Sequence, residues 1–281
     1  MGILEELLSN PRATLMILLL ALPGRLLAIS AHESAHGWVA NRCGDPTARL
    51  MGRITLNPLK HFDPIGTLCM LLFGFGWAKP VPVNPLNFRN YRRDDLRVSL
   101  AGITANIAMF IIGCIVMYSM AGIALAQLPY HSEMMIWTTN DALFRTTIDG
   151  TAGLWVEDGW YRVSDLLRYP WGAWDVLIAP VFGQTIGYLY QMIYYFVSTN
   201  LVLAAFNLIP VPPLDGYHVV NDLVLKRPLF ADRRAASVGM IVMLAAVYSG
   251  WLDKGLNAVY DFVLGGVGQA VLSLLQGVGL F

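Results

Sequence analysis

Two histidines and a glutamate in the stretch LLAISAHESAHGWVA, residues 26–40, are the side chains of this sequence best placed to do chemistry. On a helix, His32 and His36 are i and i+4 and project from one face about 5–6 Å apart. That separation lets both imidazoles reach one metal at the roughly 2.0–2.1 Å of a zinc–nitrogen bond. Glu33 lies one residue round the helix, close enough to reach a water on that metal without being a ligand. This is the HExxH arrangement, two ligands and a general base. Zinc lowers the pKa of bound water towards about 7, and the carboxylate takes its proton as the water attacks a carbonyl. The chain holds five histidines and five glutamates among 281 residues. About 0.002 chance occurrences of the pattern follow from those counts, so coincidence explains it poorly. The plain alternative is the polar, frayed end of an interfacial helix. Charged groups inside membrane segments are functional by default, which favours the metal reading.

A catalytic zinc site takes three protein ligands and keeps a fourth position for water. Asp215, in FNLIPVPPLDGYHVV, is the first candidate for the third. Pro210, Pro212 and Pro213 cannot continue the helix before them. Unwound backbone at membrane depth is tolerated only where it is buried in protein or lines a polar cavity. Asp215 is equally readable as the cap of a helix starting near Gly216. His61 and His218 are rival ligands. Cys43 shares the helix face of His36 seven residues on, and His131 falls in a loop as a surface residue.

The elements that carry these residues are apolar. The chain is 56% hydrophobic and 14% charged, where a soluble domain carries about a quarter charged residues. Lipid is therefore the expected solvent for much of it. Nineteen basic residues balance nineteen acidic ones, which gives no sign of a nucleic-acid partner. Cys43, Cys69 and Cys114 form neither a disulfide framework nor a zinc-finger spacing. Segments at residues 13–39, 98–128 and 182–209 are long enough to span as helices, which takes about 20 apolar residues. The first is too long and too polar at its end for a cleaved signal peptide. A fourth segment, 236–251, is short. The tail from 256 to 281 either spans or lies in the interface, since its glycines weaken a helix. DPIGTLCMLLFGFGWAKPVPVNP is too short and too broken to span, and reads as a re-entrant element buried in protein. The fold class expected is an all-α polytopic membrane protein with about four to five transmembrane helices and a re-entrant extended or hairpin element. One integral membrane domain should cover residues 1–281.

Basic residues set the orientation. Arg42, Arg49, Arg53, Lys60, Arg89, Arg92, Arg93 and Arg97 lie between the first two spans. Lys226, Arg227, Arg233 and Arg234 follow the third. Both loops are expected in the cytoplasm, with residues 129–183 outside. That outer insertion carries Trp137, Trp155, Trp160, Tyr161, Trp171 and Trp174, as near a headgroup belt. It reads either as a shield that filters substrate or as a passive cap.

HESAH followed by FNLIPVPPLDG resembles the site-2 proteases, zinc metalloproteases that cleave within membranes. GDPTARLMGRITLNPLKHFDPIGTL and FGWAKPVPVNPLNFRN are similar to the small prokaryotic branch, without a PDZ domain. The resemblance covers most of residues 26–106 and again 199–220. It implies that His32, His36 and Asp215 are ligands to one Zn2+ and that Glu33 is the general base. It implies a multi-pass protein of the inner (plasma) membrane with single-span membrane proteins or signal peptides as substrates. The active site is expected towards the cytoplasm, because both zinc-binding stretches abut the basic loops. Asn106 in LAGITAN is similar to a family asparagine. It is expected to donate to the oxyanion, although Ile103 stands where the family usually has proline. Asn207 is its rival, and interhelical hydrogen bonding is the alternative for either.

Three other activities fit parts of the pattern. A membrane metallohydrolase acting on lipid or a small molecule would use the same centre. A degenerate relative that only binds membrane helices would not need Glu33. A metal transporter would want ligands repeated along a path, and one cluster is seen. WAKPVPVNP reads as an extended edge on which Val81 and Val83 keep their N–H groups and Pro80 and Pro82 have none. An unwound substrate is expected to add there as a strand. The alternative is that the prolines stiffen a turn.

Overall fold

The computed structural model describes residues 7–73, 78–135, 143–149, 151–156, 159–225 and 249–280, with positions 237, 241, 245 and 246 besides. Helix α1 runs Pro11–Cys43. The Asn10 side chain accepts from the Ala13 N–H and Pro11 sits in the first turn, where its missing N–H costs nothing. Gly44 ends the helix at φ 115°, the left-handed conformation that favours glycine. Helix α2 is Pro64–Phe73, α3 Tyr91–Gln127, α4 Gln184–Asn207, α5 Asp215–Val220 and α6 Trp251–Gly277. Helices α1, α3 and α4 and the stretch Lys254–Gly277 of α6 are each long and apolar enough to cross a membrane. The C-terminal tail is thus one continuous helix of spanning length in spite of its glycines. The expected segment 236–251 and the basic residues 226–234 before it fall largely outside the described residues. So do residues 74–77 of the expected re-entrant element. Of that element, α2 spans ten residues, about 15 Å of helix, half a hydrocarbon core.

The chain resolves into two compact units, one of residues 1–111 and 195–256, the other of 112–194 and 257–281. In the second unit the expectation of an all-α chain fails. Strands β1 Tyr130–Ser132, β2 Leu143–Ile148, β3 Thr151–Val156 and β4 Gly159–Arg162 form one sheet in sequence order. β1 joins parallel and the other two pairs are antiparallel. Ile148 pairs with Thr151, and Asp149 between them stands at φ 47°. Asp-Gly between runs of β-branched and aromatic residues is a strong hairpin signal, and here it outweighs the helical character of the rest. Phe144 and Trp155 stack at 6.1 Å between ring centroids across β2 and β3. Phe144 and Leu154 are buried with Leu177 and Ile178.

The first unit holds a strap that runs extended from residue 78 to Asn84 and ends in the helical turn Pro85–Asn87. Its backbone is tied at several points. Lys79 N–H donates to the His61 carbonyl at 2.9 Å. The buried Arg53 guanidinium donates to the Lys79 and Pro80 carbonyls at 2.8 and 3.2 Å. Asp45, fully buried just past the end of α1, accepts from Asn84 N at 2.7 Å and Asn87 Nδ2 at 2.8 Å, and from Thr47. Burial raises the Asp45 carboxyl, but hydrogen bonds from Thr47, Asn84 and Asn87 outweigh it and hold the group below its ordinary value. A depressed carboxyl stabilises the fold above its unfolded value of about 3.9, and that share is lost as pH falls through the folded value. Asp45→Ala should cost about 3 kcal/mol and flatten the acid limb of stability. Denaturant unfolding in detergent from neutral pH down to about 3 measures both.

Candidate metal centre

α1 supplies His32, Glu33 and His36 from adjacent faces, as the spacing predicts. The third group arrives from 180 residues along the chain. α4 stops at Asn207, the proline-rich stretch turns irregularly, and α5 begins at Asp215 itself. Leu214, in extended conformation, occupies the cap position, and no side chain caps the helix. The capping alternative for Asp215 therefore fails. Gly216 lets α5 start hard against the end of α4. A Cβ there would lie 2.3 Å from the Leu208 carbonyl oxygen.

Three atoms converge. His32 Nε2 and His36 Nε2 are 3.0 Å apart, and Asp215 Oδ2 lies 3.3 and 3.4 Å from them. Tetrahedral ligands about 2.0–2.1 Å from one ion stand roughly 3.3–3.4 Å from each other, so the spacing fits one zinc-sized cation. The proton assignment sharpens the fit. His36 Nδ1 lies 2.7 Å from the Val98 carbonyl oxygen, which can only accept, so Nδ1 carries the hydrogen. His32 Nδ1 lies 2.6 Å from Asn106 Oδ1, with the same consequence. Both Nε2 atoms then present lone pairs, to each other and to a carboxylate oxygen. Asp215 Oδ2 is buried with no hydrogen-bond donor. Three facing acceptors with no proton among them repel, and a cation between them removes the repulsion. Among the described residues this is the one cluster of metal-ligating groups.

α3 is shaped to let this happen. Val98, Gly102 and Asn106 are spaced i, i+4 and i+8 on one face. A Cβ on Gly102 would lie 2.5 Å from both His32 Cε1 and His36 Nε2. The bare glycine is what lets the helix back onto the imidazoles.

Glu33 stands beside the three ligand groups and accepts from the Val81 N–H through Oε2 at 2.8 Å. This corrects the reading of the strap as an edge open at Val81. That N–H is spent on the protein's own carboxylate, and Val81 is buried. His32, Glu33, His36 and Asp215 line a cavity of ≈ 480 Å³. Val81, Val83, Leu203, Phe206 and Asn207 form apolar and amide walls of it.

The remaining candidates lie apart from the cluster. His61 is buried with Nε2 2.8 Å from the Thr55 carbonyl oxygen. His218 faces Asp95, Nδ1 to Oδ2 2.9 Å. The Asp95 hydrogen bond, working against burial, raises its pKa, and its Nδ1 is turned to Asp95 and not to the three converging atoms. Cys43 is buried, and His131 sits on β1 against Phe144. Asn106 is fully buried and engaged at both ends. Its Oδ1 faces His32, and its Nδ2 donates to Asn200 Oδ1 at 2.8 Å and Ala28 O at 3.3 Å. Asn207 lines the cavity and donates one N–H to Leu203 O at 3.0 Å. Sequence reasoning missed Gly102, Asn200 and the Val98 carbonyl. The only signal for them was their position on apolar helices.

Comparison with known proteins gives a family and several relatives. Residues 20–248 match the family described as Peptidase family M50. "Putative zinc metalloprotease YwhC" of Bacillus subtilis (strain 168) is 32% identical over 241 residues, 86% of this chain and 84% of that protein. "Putative zinc metalloprotease Rip2" of Mycolicibacterium smegmatis is 29% identical over 108 residues, 37% of this chain and 41% of its own. "Metalloprotease MmpA" of Caulobacter vibrioides is 33% identical over 86 residues, 28% of this chain and 22% of its own. No solved structure matches.

Gly102→Ala should push a methyl into the imidazoles and lower metal affinity by at least about tenfold, with helix content unchanged. Metal analysis of purified protein, beside far-ultraviolet circular dichroism, measures the two.

Proposed function

The chain belongs to Peptidase family M50, the site-2 protease family of membrane metalloproteases, and from that premise we propose that it is an active zinc endopeptidase that cuts membrane-spanning or signal-peptide-like helices of other proteins inside the bilayer. The observation that carries the reading is the convergence of His32 Nε2, His36 Nε2 and Asp215 Oδ2 within 3.4 Å beside Glu33, with the two histidines and the glutamate on an apolar helix of spanning length. A bound zinc ion supplies a Lewis acid for the scissile carbonyl and an acidified water.

The protein's own groups do the rest. His32, His36 and Asp215 hold the ion. Glu33 takes the proton of the attacking water and returns it to the leaving nitrogen. The Val81 N–H fixes the direction of that carboxylate. We assign the oxyanion donor to Asn207, which lines the cavity, in place of Asn106, whose carboxamide is spent on other partners. The apolar walls suit a hydrophobic substrate segment, and the strap with α2 serves as a re-entrant element beside it. The substrate must enter unwound, because a helix hides its peptide groups in internal hydrogen bonds. With the Val81 N–H occupied, the Val83 N–H and the carbonyls beyond Pro80 are the groups we assign to main-chain pairing.

We place the protein in the inner (plasma) membrane, with the centre on the cytoplasmic side. The basic residues between α1 and α3 support that side.

Purified protein incubated with a panel of single-span substrates, with products read by mass spectrometry, tests the activity. Glu33→Gln should keep zinc and lose cleavage by about 10²–10⁴-fold. Zinc lost along with activity would make Glu33 a ligand and sink the mechanism. Hydrolysis of a lipid or small molecule with intact membrane helices would move the protein to another substrate class. For orientation, a reporter fused after Leu225 should read cytoplasm and one within residues 132–151 the outside. The reverse pattern overturns the placement.

A further inference from the structure

We infer that Asn200, which is no member of the ligand set, is a positioning residue of the metal centre. It acts through Asn106 on His32 and decides which ring nitrogen of His32 carries the proton. The inference rests on the zinc reading above and adds a residue on α4 to it.

The argument is one of polarity. Asn200 and Asn106 are both 0% exposed, so neither carboxamide can turn to water for a missing partner. Asn200 Nδ2 donates to the Phe196 carbonyl oxygen at 2.8 Å, one turn back on α4. A carbonyl only accepts, so the amide cannot be reversed without facing oxygen to oxygen. Asn200 Oδ1 is thereby turned to Asn106, 2.8 Å from its Nδ2. That oxygen also only accepts, so it is the Asn106 nitrogen that must face it. The Ala28 carbonyl oxygen, 3.3 Å away, holds the same nitrogen from a second side. Asn106 Oδ1 is then the atom left to face His32 Nδ1 at 2.6 Å. The hydrogen of His32 is fixed on Nδ1 and its lone pair on Nε2, towards Asp215 and His36. Each link has one permitted direction, and the direction is set at the Phe196 carbonyl. His36 needs no such relay, because a backbone carbonyl, that of Val98, sets its tautomer directly.

Without the Asn200 amide, Asn106 keeps only the longer contact to Ala28 to hold its orientation. A half-turn of its carboxamide would offer Nδ2 to His32. The imidazole would answer by moving its hydrogen to Nε2, where it cannot ligate. Partners behind a ligating histidine typically matter by about 10–100-fold in metal affinity.

The test is zinc affinity, measured by competition with a chromophoric chelator on the full-length protein in detergent. All variants carry Glu33→Gln, so that self-cleavage and turnover play no part. Asn200→Leu should weaken zinc binding by about 10–100-fold. Asn200→Asp should stay within about threefold of the parent. In so buried a place its carboxyl is protonated, with an oxygen to accept from Asn106 and an O–H to donate to Phe196. Asn106→Leu should weaken binding as Asn200→Leu does, and the double variant should be no weaker than Asn106→Leu alone. Asn200→Ala, which removes the amide without adding bulk, gives the same comparison where Asn200→Leu does not fold. Parental affinity in Asn200→Leu or Asn200→Ala would overturn the relay. So would an Asn200→Asp protein as weak as Asn200→Leu, which would mark a packing role. A full effect of Asn200→Leu in the Asn106→Leu background would do so too, since the action would then bypass Asn106. A parent that takes up no zinc would overturn the zinc reading itself. A parent whose zinc affinity ignores position 200 would overturn this inference alone.

Discussion

Three hydrogen-bond acceptors, two imidazole nitrogens and a carboxylate oxygen, are held within 3.4 Å of one another inside the protein. Left to themselves they would separate or recruit protons, since buried lone pairs in contact repel and a buried carboxylate without a donor is costly. Everything around the centre opposes that relaxation. His36 cannot swing because its far nitrogen is tied to the Val98 carbonyl. His32 is tied through Asn106. Asp215 cannot retreat, because Gly216 wedges the start of α5 against the last turn of α4. The fold thus keeps the acceptors together, and a cation bound among them would offset their repulsion.

α3 bears most of this duty without contributing a ligand. Its positions 98, 102 and 106 meet the two imidazoles as a carbonyl, a bare Cα and a carboxamide. Each is suited to a different task, and none has a charge. α4 contributes twice. Asn200 anchors the carboxamide of Asn106, and the chain beyond Asn207 delivers Asp215. A shift of α4 along its axis would disturb a ligand and the support of another ligand together.

Glu33, the proposed general base, is placed by a different part of the chain. Glu33 is on α1, but its carboxylate is fixed by the Val81 N–H of the strap. A hydrogen bond to a charged acceptor is worth about 1.5–3 kcal/mol. The strap is in turn held by Arg53, His61 and Asp45. The prolines at 80 and 82 leave it few donors to compete for that task. The alternation of proline and valine therefore leaves the Val81 N–H to Glu33.

What the sequence by itself determined follows from interactions local in the chain. A helix puts i and i+4 on one face whatever surrounds it, so His32, Glu33 and His36 were legible as a unit. Hydropathy likewise marked α1, α3 and α4, because crossing lipid is a demand on each segment alone. The Asp-Gly between Ile148 and Thr151 was just as local a signal for a hairpin, and the β2–β3 pairing forms around it. Tertiary structure decided what local geometry cannot. Asp215, His61 and His218 were all open as companions of the two histidines until packing brought Asp215 to them and turned His61 to Thr55 and His218 to Asp95. Asn106 was as fit to donate to an oxyanion as to orient a histidine until Asn200 took its nitrogen. Val81 kept a free N–H on paper until Glu33 claimed it. In each case an ordinary polar group had several chemically equal partners, and only the folded chain, by bringing Glu33 to Val81, Asn106 to Asn200 and Asp215 to His32, chose among them.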